Sequence, residues 1–264
     1  MRAFASLSIA SLALVAAAQA EAAPRRVASL NLCTDELLLA LAAPDQILSV
    51  THLAQDPAET PLWPQARRYR RNDGSLLSVA AMRPDLVLTM GGGARDRLRI
   101  AGRLGLATLD LPFAQTLGDV ETGILRVASA LGRPEAGTRL IGRLAALRAS
   151  APASRLDAIW LGGGGRTVSP LGLEAQWMAL AGLRQRRMQG DRVPLETLIL
   201  RPPQVLLRSD YRAGQYSGAQ RWLSHPAARR VRAGRTLVTD GRRWTCMGPL
   251  LIGEIERLRG TLGR

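Results

Sequence analysis

Short apolar runs of strand length alternate with segments of helical period along most of this chain, and no other feature limits its fold as much. Residues 26–30, 47–51, 85–90, 107–111, 158–161, 205–207 and 237–239 read as strands. Between them, 34–42, 74–82, 95–104, 174–181, 194–200, 222–231 and 248–258 read as helices, with Thr34 as N-cap of the first. Such alternation argues for parallel sheets covered on both faces. The pattern is interrupted once. Val120, Ile124, Val127 and Leu131, then Leu140, Leu144 and Leu147, recur at helical spacing with no strand among them. They imply a long helical segment broken or kinked at Pro134. Two stretches on either side echo one another: "LLSVAAMRPDLVLTMGGG" and "LETLILRPPQVLLRSD" both read as a short helix, Arg-Pro, then a strand. The expected fold is therefore α/β, with two lobes of parallel sheet joined by a single long α-helix.

The first twenty residues stand apart. An early Arg2, an apolar stretch over 7–18 and the small-residue pattern Ala18-Gln19-Ala20 read as a cleavable secretory signal peptide, too short to span a bilayer. Cys33 follows Leu32 rather than the small residue a lipid anchor would need, so a periplasmic, non-lipidated protein is expected. The division is signal peptide 1–20, first lobe 21–115, linking helix 116–150 and second lobe 151–264. The net charge of +15 comes from 36 basic residues, all arginine. With only 4% aromatic residues and arginines scattered along an exported chain, nucleic-acid binding is not expected. The charge does tilt the surface toward anionic ligands and membrane surfaces.

In "RPDLVLTMGGGARDR" a buried-looking strand runs into Gly91, Gly92 and Gly93. Ligands in open α/β sheets sit at the carboxyl ends of strands, so these glycines suggest one wall of a binding site. Gly162 to Gly165 end a strand of the second half in the same way. Enzymatic parts are largely missing. "GGGGRT" lacks the lysine and spacing of a phosphate loop, His52 and His225 cannot form an H-E-x-x-H zinc site, and "GQYSGA" is no nucleophile elbow. Two cysteines, Cys33 and Cys246, stand in a chain bound for an oxidising compartment, so a disulfide is one reading. Two further readings stay open: separate, partly buried thiols, or contact with a soft metal or metal-bearing ligand.

The segments "RVASLNLCTDELLLALA", "MRPDLVLTMGGG" and "RPPQVLLRSD", in this order around a long helix, resemble the Fe/B12-type periplasmic binding proteins. These are the substrate-binding subunits of ABC importers for ferric siderophores, haem and cobalamin. The resemblance spans nearly the whole mature chain. It implies a stiff clamp holding ligand between lobes, no enzymatic activity, no resident cofactor or metal (the ligand itself carrying iron or cobalt), and a monomer. The partners would be a permease with its ATPase, reached by transient contact with the inner-membrane surface. Ligand contacts are expected from Asn31, Cys33, Tyr69, Gly91, Gly92, Gly93, Gly163, Gly164, Tyr211, Trp244 and Cys246. Permease docking is expected from Glu196, with Asp73 in place of a first-lobe carboxylate, since Leu77 occupies that position. An exported enzyme, or a sensor using the same cleft, is the alternative function.

Overall fold

The computed structural model describes residues 23–91, 95–211, 225–226 and 234–263. The expected signal peptide, Gly92, Gly93 and most of the helix expected at 222–231 lie outside the described residues. Nine strands form two separate sheets among the described residues, every pair parallel. The first holds β1 (Val27–Ser29), β2 (Ile47–Thr51), β3 (Arg70–Asn72), β4 (Leu86–Met90) and β5 (Thr108–Leu111) in the order β3-β2-β1-β4-β5. The second holds β6 (Leu156–Leu161), β7 (Leu183–Gln185), β8 (Val205–Asp210) and β9 (Arg235–Asp240) in the order β7-β6-β8-β9. Apart from the edge strand β3, which has no counterpart, the orders correspond, β1 with β6 and β4 with β8, so the echo in the sequence falls on equivalent pieces of two lobes.

Helices α1 (Leu32–Leu41), α2 (Trp63–Ala66), α3 (Leu76–Ala80) and α4 (Arg95–Arg103) belong to the first lobe. The first of them begins earlier than the sequence implies. Asn31 is its N-cap, its Oδ1 accepting the Cys33 N–H at 2.8 Å, while Thr34 is buried within the first turn.

The segment expected as one linking helix is two: α5 (Leu117–Ala130) and α6 (Pro134–Ala149). Gly132, at φ 66°, ends α5; its N–H donates to Ser129 O at 2.9 Å and the next N–H, of Arg133, donates to Ala128 O at 2.8 Å. This is the Schellman pattern that stops a helix, and Pro134 then restarts one at its first position. Arg148 near the end of α6 meets Glu121 near the start of α5 at 2.9 Å, so the two helices run antiparallel. Helix α5 packs on α1 and β5, and α6 alone carries the chain into the second lobe, which adds α7 (Leu173–Leu180), α8 (Leu195–Leu200) and α9 (Leu250–Leu262).

The lobes are not held apart by a rod. One buried apolar cluster runs from Val27 and Leu38 in the first lobe through Ile124, Leu144 and Trp177 to Leu207, Ile252 and Leu258 in the second. Arg259 of α9 ties the seam further. Its guanidinium donates to Leu180 O at 2.6 Å, to Leu147 O, and to Ser150 Oγ at 2.8 Å, which places a cation at the carboxyl ends of α6 and α7. Arg259→Ala is expected to cost about 2–3 kcal/mol of stability by leaving these acceptors unpaired. Arg143→Ala, which breaks only an exposed pair with Glu256, should cost under about 1 kcal/mol. Urea denaturation of both variants checks the contrast. Among the described residues no helix is long and apolar enough to cross a membrane.

Candidate functional site

In the first sheet the strand order reverses between β1 and β4, and in the second between β6 and β8. A crevice opens at the carboxyl ends of strands at such a reversal. Asn31 and Cys33 follow β1, Gly91 follows β4, the turn Gly163–Gly165 follows β6 and Tyr211 follows β8. Most of the residues singled out in the sequence therefore stand at one of the two reversals.

Several bonds cross the seam between the lobes. Cys33 and Cys246 form a disulfide, their Cα atoms 5.1 Å apart. The readings of separate thiols and of thiolate contact to a metal are thereby set aside. Glu36 of α1 reaches into the second lobe, where its Oε1 accepts the Leu250 N–H at 2.8 Å at the start of α9. The Tyr211 hydroxyl donates to Glu59 Oε2 at 2.6 Å, and Arg242 Nη1 donates to Pro57 O at 2.6 Å. Tyr211 thus stands at the seam, engaged with the opposite lobe.

The disulfide lies beside two buried carboxyls. Asp35 accepts the Thr51 N–H at 3.1 Å and the Thr51 hydroxyl at 2.5 Å. Burial nevertheless dominates and raises it from 3.8 to about 7. Burial likewise raises Glu36 from 4.5 to about 7, against the opposing effects of the Leu250 N–H and the Arg243 charge. Both groups hold protons well into the range where surface carboxyls are ionised.

One pocket bridges the lobes here, with a cavity volume of about 170 Å³. Cys33 and Cys246 line it, with Met90 and Leu111 from the first sheet and Met247 from the second lobe. Gly91 has a structural role different from the bare cleft floor the sequence suggested. Its φ is 114°, and an added Cβ would stand 3.2 Å from the Phe113 ring. It gives way to Phe113, which is 58% exposed at the pocket's edge. Phe113, Met90, Met247 and Gly123 are site residues that sequence reasoning missed. The only available signal was that Met90 ends the strand whose trailing glycines suggested a site wall, with Phe113 two residues beyond the end of another strand.

Two expected ligand contacts are corrected. Trp244 is 3% exposed; its Nε1 donates to Thr239 Oγ1 at 2.8 Å, and its ring meets Trp160 edge-on at 6.4 Å. A large apolar ring in a short turn was drawn into the core rather than left at the rim. Tyr69 sits at the amino end of β3 with Arg25, Arg26 and Asp45, the sheet end opposite the crevice. Asn31 is engaged as the cap of α1. Gly163 and Gly164 are half-buried at the carboxyl end of β6 and do not line the pocket beside the disulfide. Asp73 is exposed, and hydrogen bonds from Ser75 and Ser78 hold its carboxyl down at about 2. Glu196 and Leu77 are exposed on α8 and α3.

A model of the family described as periplasmic binding protein matches residues 27–237. Several solved structures are similar in fold. The periplasmic vitamin B12 binding protein BtuF of Vibrio cholerae is 18% identical, covering 91% of this chain and 97% of its own, at a TM-score of 0.61. A periplasmic heme binding protein from Pseudomonas aeruginosa is 20% identical, covering 90% and 92%, at 0.62. The siderophore binding protein BauB, bound to a complex of two acinetobactin molecules and ferric iron, is 13% identical, covering 90% and 93%, at 0.71. Among curated proteins, none matches this sequence.

Proposed function

The chain belongs to the periplasmic binding protein family, and from that premise we propose that it captures a metal chelate or corrinoid between its lobes and delivers it to the permease of an ABC importer. The family is one of solute-binding proteins rather than enzymes. The observation that carries the reading is the meeting of both strand-order reversals across one bonded seam, the position where sheets of this kind hold a ligand. The similar folds that hold B12, heme and a ferric siderophore support the ligand class. Export through cleavage near residue 20 and action as a monomer complete the proposal. The permease contacts would come from exposed Glu196 on α8 and from Asp73, ionised at the foot of α3.

Thermal unfolding with a ferric siderophore, haem and cobalamin in turn tests the reading. A true ligand at 100 times its dissociation constant adds about 2.7 kcal/mol to stability. We expect one of the three to raise Tm without being altered. A chemical product would overturn the transport reading, and no stabilisation by any of them would overturn the ligand class.

A further inference from the structure

The pocket beside the disulfide restricts what can enter it. Met90, Leu111, Phe113, Val120 and Met247 make its walls apolar, and among the described residues no arginine lines it. Among the described residues its one ionisable wall residue is Asp119, whose Oδ2 already accepts the Gln115 and Thr116 N–H groups at 3.0 and 2.9 Å in the cap of α5. Among the described residues an anionic group entering here would meet no counter-charge and a carboxylate close by, and would lose its hydration without compensation. The excess positive charge of the chain is therefore no guide to this part of the cleft.

Size narrows the occupant further. A dry apolar cavity of about 150 Å³ holds one benzene ring, and this pocket measures about 170 Å³. Sulfur narrows it again. The Cys33–Cys246 bond, Met90 and Met247 all line the same small space. Thioether sulfur makes favourable contacts with the edge of an aromatic ring. At the mouth, the exposed ring of Phe113 offers an offset or edge-on aromatic partner.

We infer that this pocket is a subsite for a single uncharged aromatic ring, so that the ligand taken up by the cleft carries a neutral aryl arm seated between α5 and Met247. Its metal-bearing portion stays in the wider cleft outside. The inference rests on the interlobe cleft being the ligand site, as proposed above, but its test needs no whole ligand. Gly123 of α5 also lines the pocket, and a Cβ added there would have no atom within 4 Å. Gly123→Leu therefore fills the space from a helix position where leucine is the better helix former.

The experiment titrates toluene, and separately benzoate, into the full oxidised chain carrying ¹³C-methyl methionine. Toluene is expected to shift the Met90 and Met247 methyl resonances and to show cross-relaxation with both. Benzoate at equal concentration should do neither, and Gly123→Leu should abolish the toluene response. Absence of a toluene response, an equal response to benzoate, or a response that survives Gly123→Leu in a folded variant overturns the inference. The cross-relaxation in the unmodified chain stands as evidence should the variant fail to fold. A negative toluene result leaves the importer reading to its own chelate test, and a failed chelate test leaves the toluene result intact.

Discussion

Replacing Cys33 and Cys246 together with serine, or reducing their bond, is expected to lower the free energy of unfolding by about 4–5 kcal/mol. The bond joins residues separated by 213 positions. Removing it frees a loop of that length in the unfolded chain, and the cost grows with the logarithm of loop size. For a chain of this size such a loss corresponds to a fall in Tm of roughly 10–15 °C. The other seam contacts compensate only in part. Glu36 to Leu250, Tyr211 to Glu59 and Arg242 to Pro57 are single hydrogen bonds, each worth about 1–2 kcal/mol. Denaturant titration of oxidised, reduced and doubly substituted protein measures the effect. Two free thiols in denatured, unreduced protein, or a double variant as stable as the parent, would refute it.

The second large effect is a stability that falls as pH rises. Asp35 and Glu36 take up protons more readily in the folded state than their ordinary values of 3.8 and 4.5 allow, each standing at about 7. A group raised on folding adds stability that is fully present below its unfolded value and is lost as pH rises through its folded value. The loss therefore runs from about pH 4 to about pH 8, on the order of a few kcal/mol per group. Asp73, Asp119, Glu135 and Asp240 are held below the usual carboxylate range and act in the opposite direction. Their stabilisation is lost only as pH falls beneath the ordinary carboxylate values, below this window. Tm is thus expected to be higher at pH 5 than at pH 8. The pair Asp35→Asn with Glu36→Gln keeps acceptors for Thr51 and Leu250 while removing both protons from the balance, so its profile should flatten. A parent Tm that is level or rising between pH 5 and pH 8, or an unchanged slope in the double variant, would defeat the idea.

The architecture was legible where strands are buried on both faces. "LVLTM" and "VLLRSD" read as strands because covered parallel strands need near-continuous apolar runs. Two of the four edge strands carry no such signal. β3 is "RRN" and β7 is "LRQ", three residues each, and both passed as loop because an edge tolerates charge. Pro134 marked the break in the helical segment, but only the backbone at Gly132 shows that the chain folds back there. The site was half legible. Strand ends drew attention to Cys33, Gly91 and Tyr211, yet pairing Cys33 with Cys246 depends on how two separately built sheets dock. The pocket draws Met90, Phe113, Gly123 and Met247 from four separate segments, and no local pattern links them. Trp244 misled because an aromatic flanked by arginines suits a rim and a core equally well until its packing is seen.

Cys33 follows the first described strand and Cys246 comes after the last, so eight of the nine described strands are synthesised in the interval between them. With two cysteines in the whole sequence, the early thiol has no partner of its own chain until the late one arrives. No mispaired ring can form within one molecule; the sole error open to it is a bond to another chain. Closure therefore requires the chain to have been made as far as Cys246, and a non-reducing gel would separate closed molecules from open or cross-linked ones.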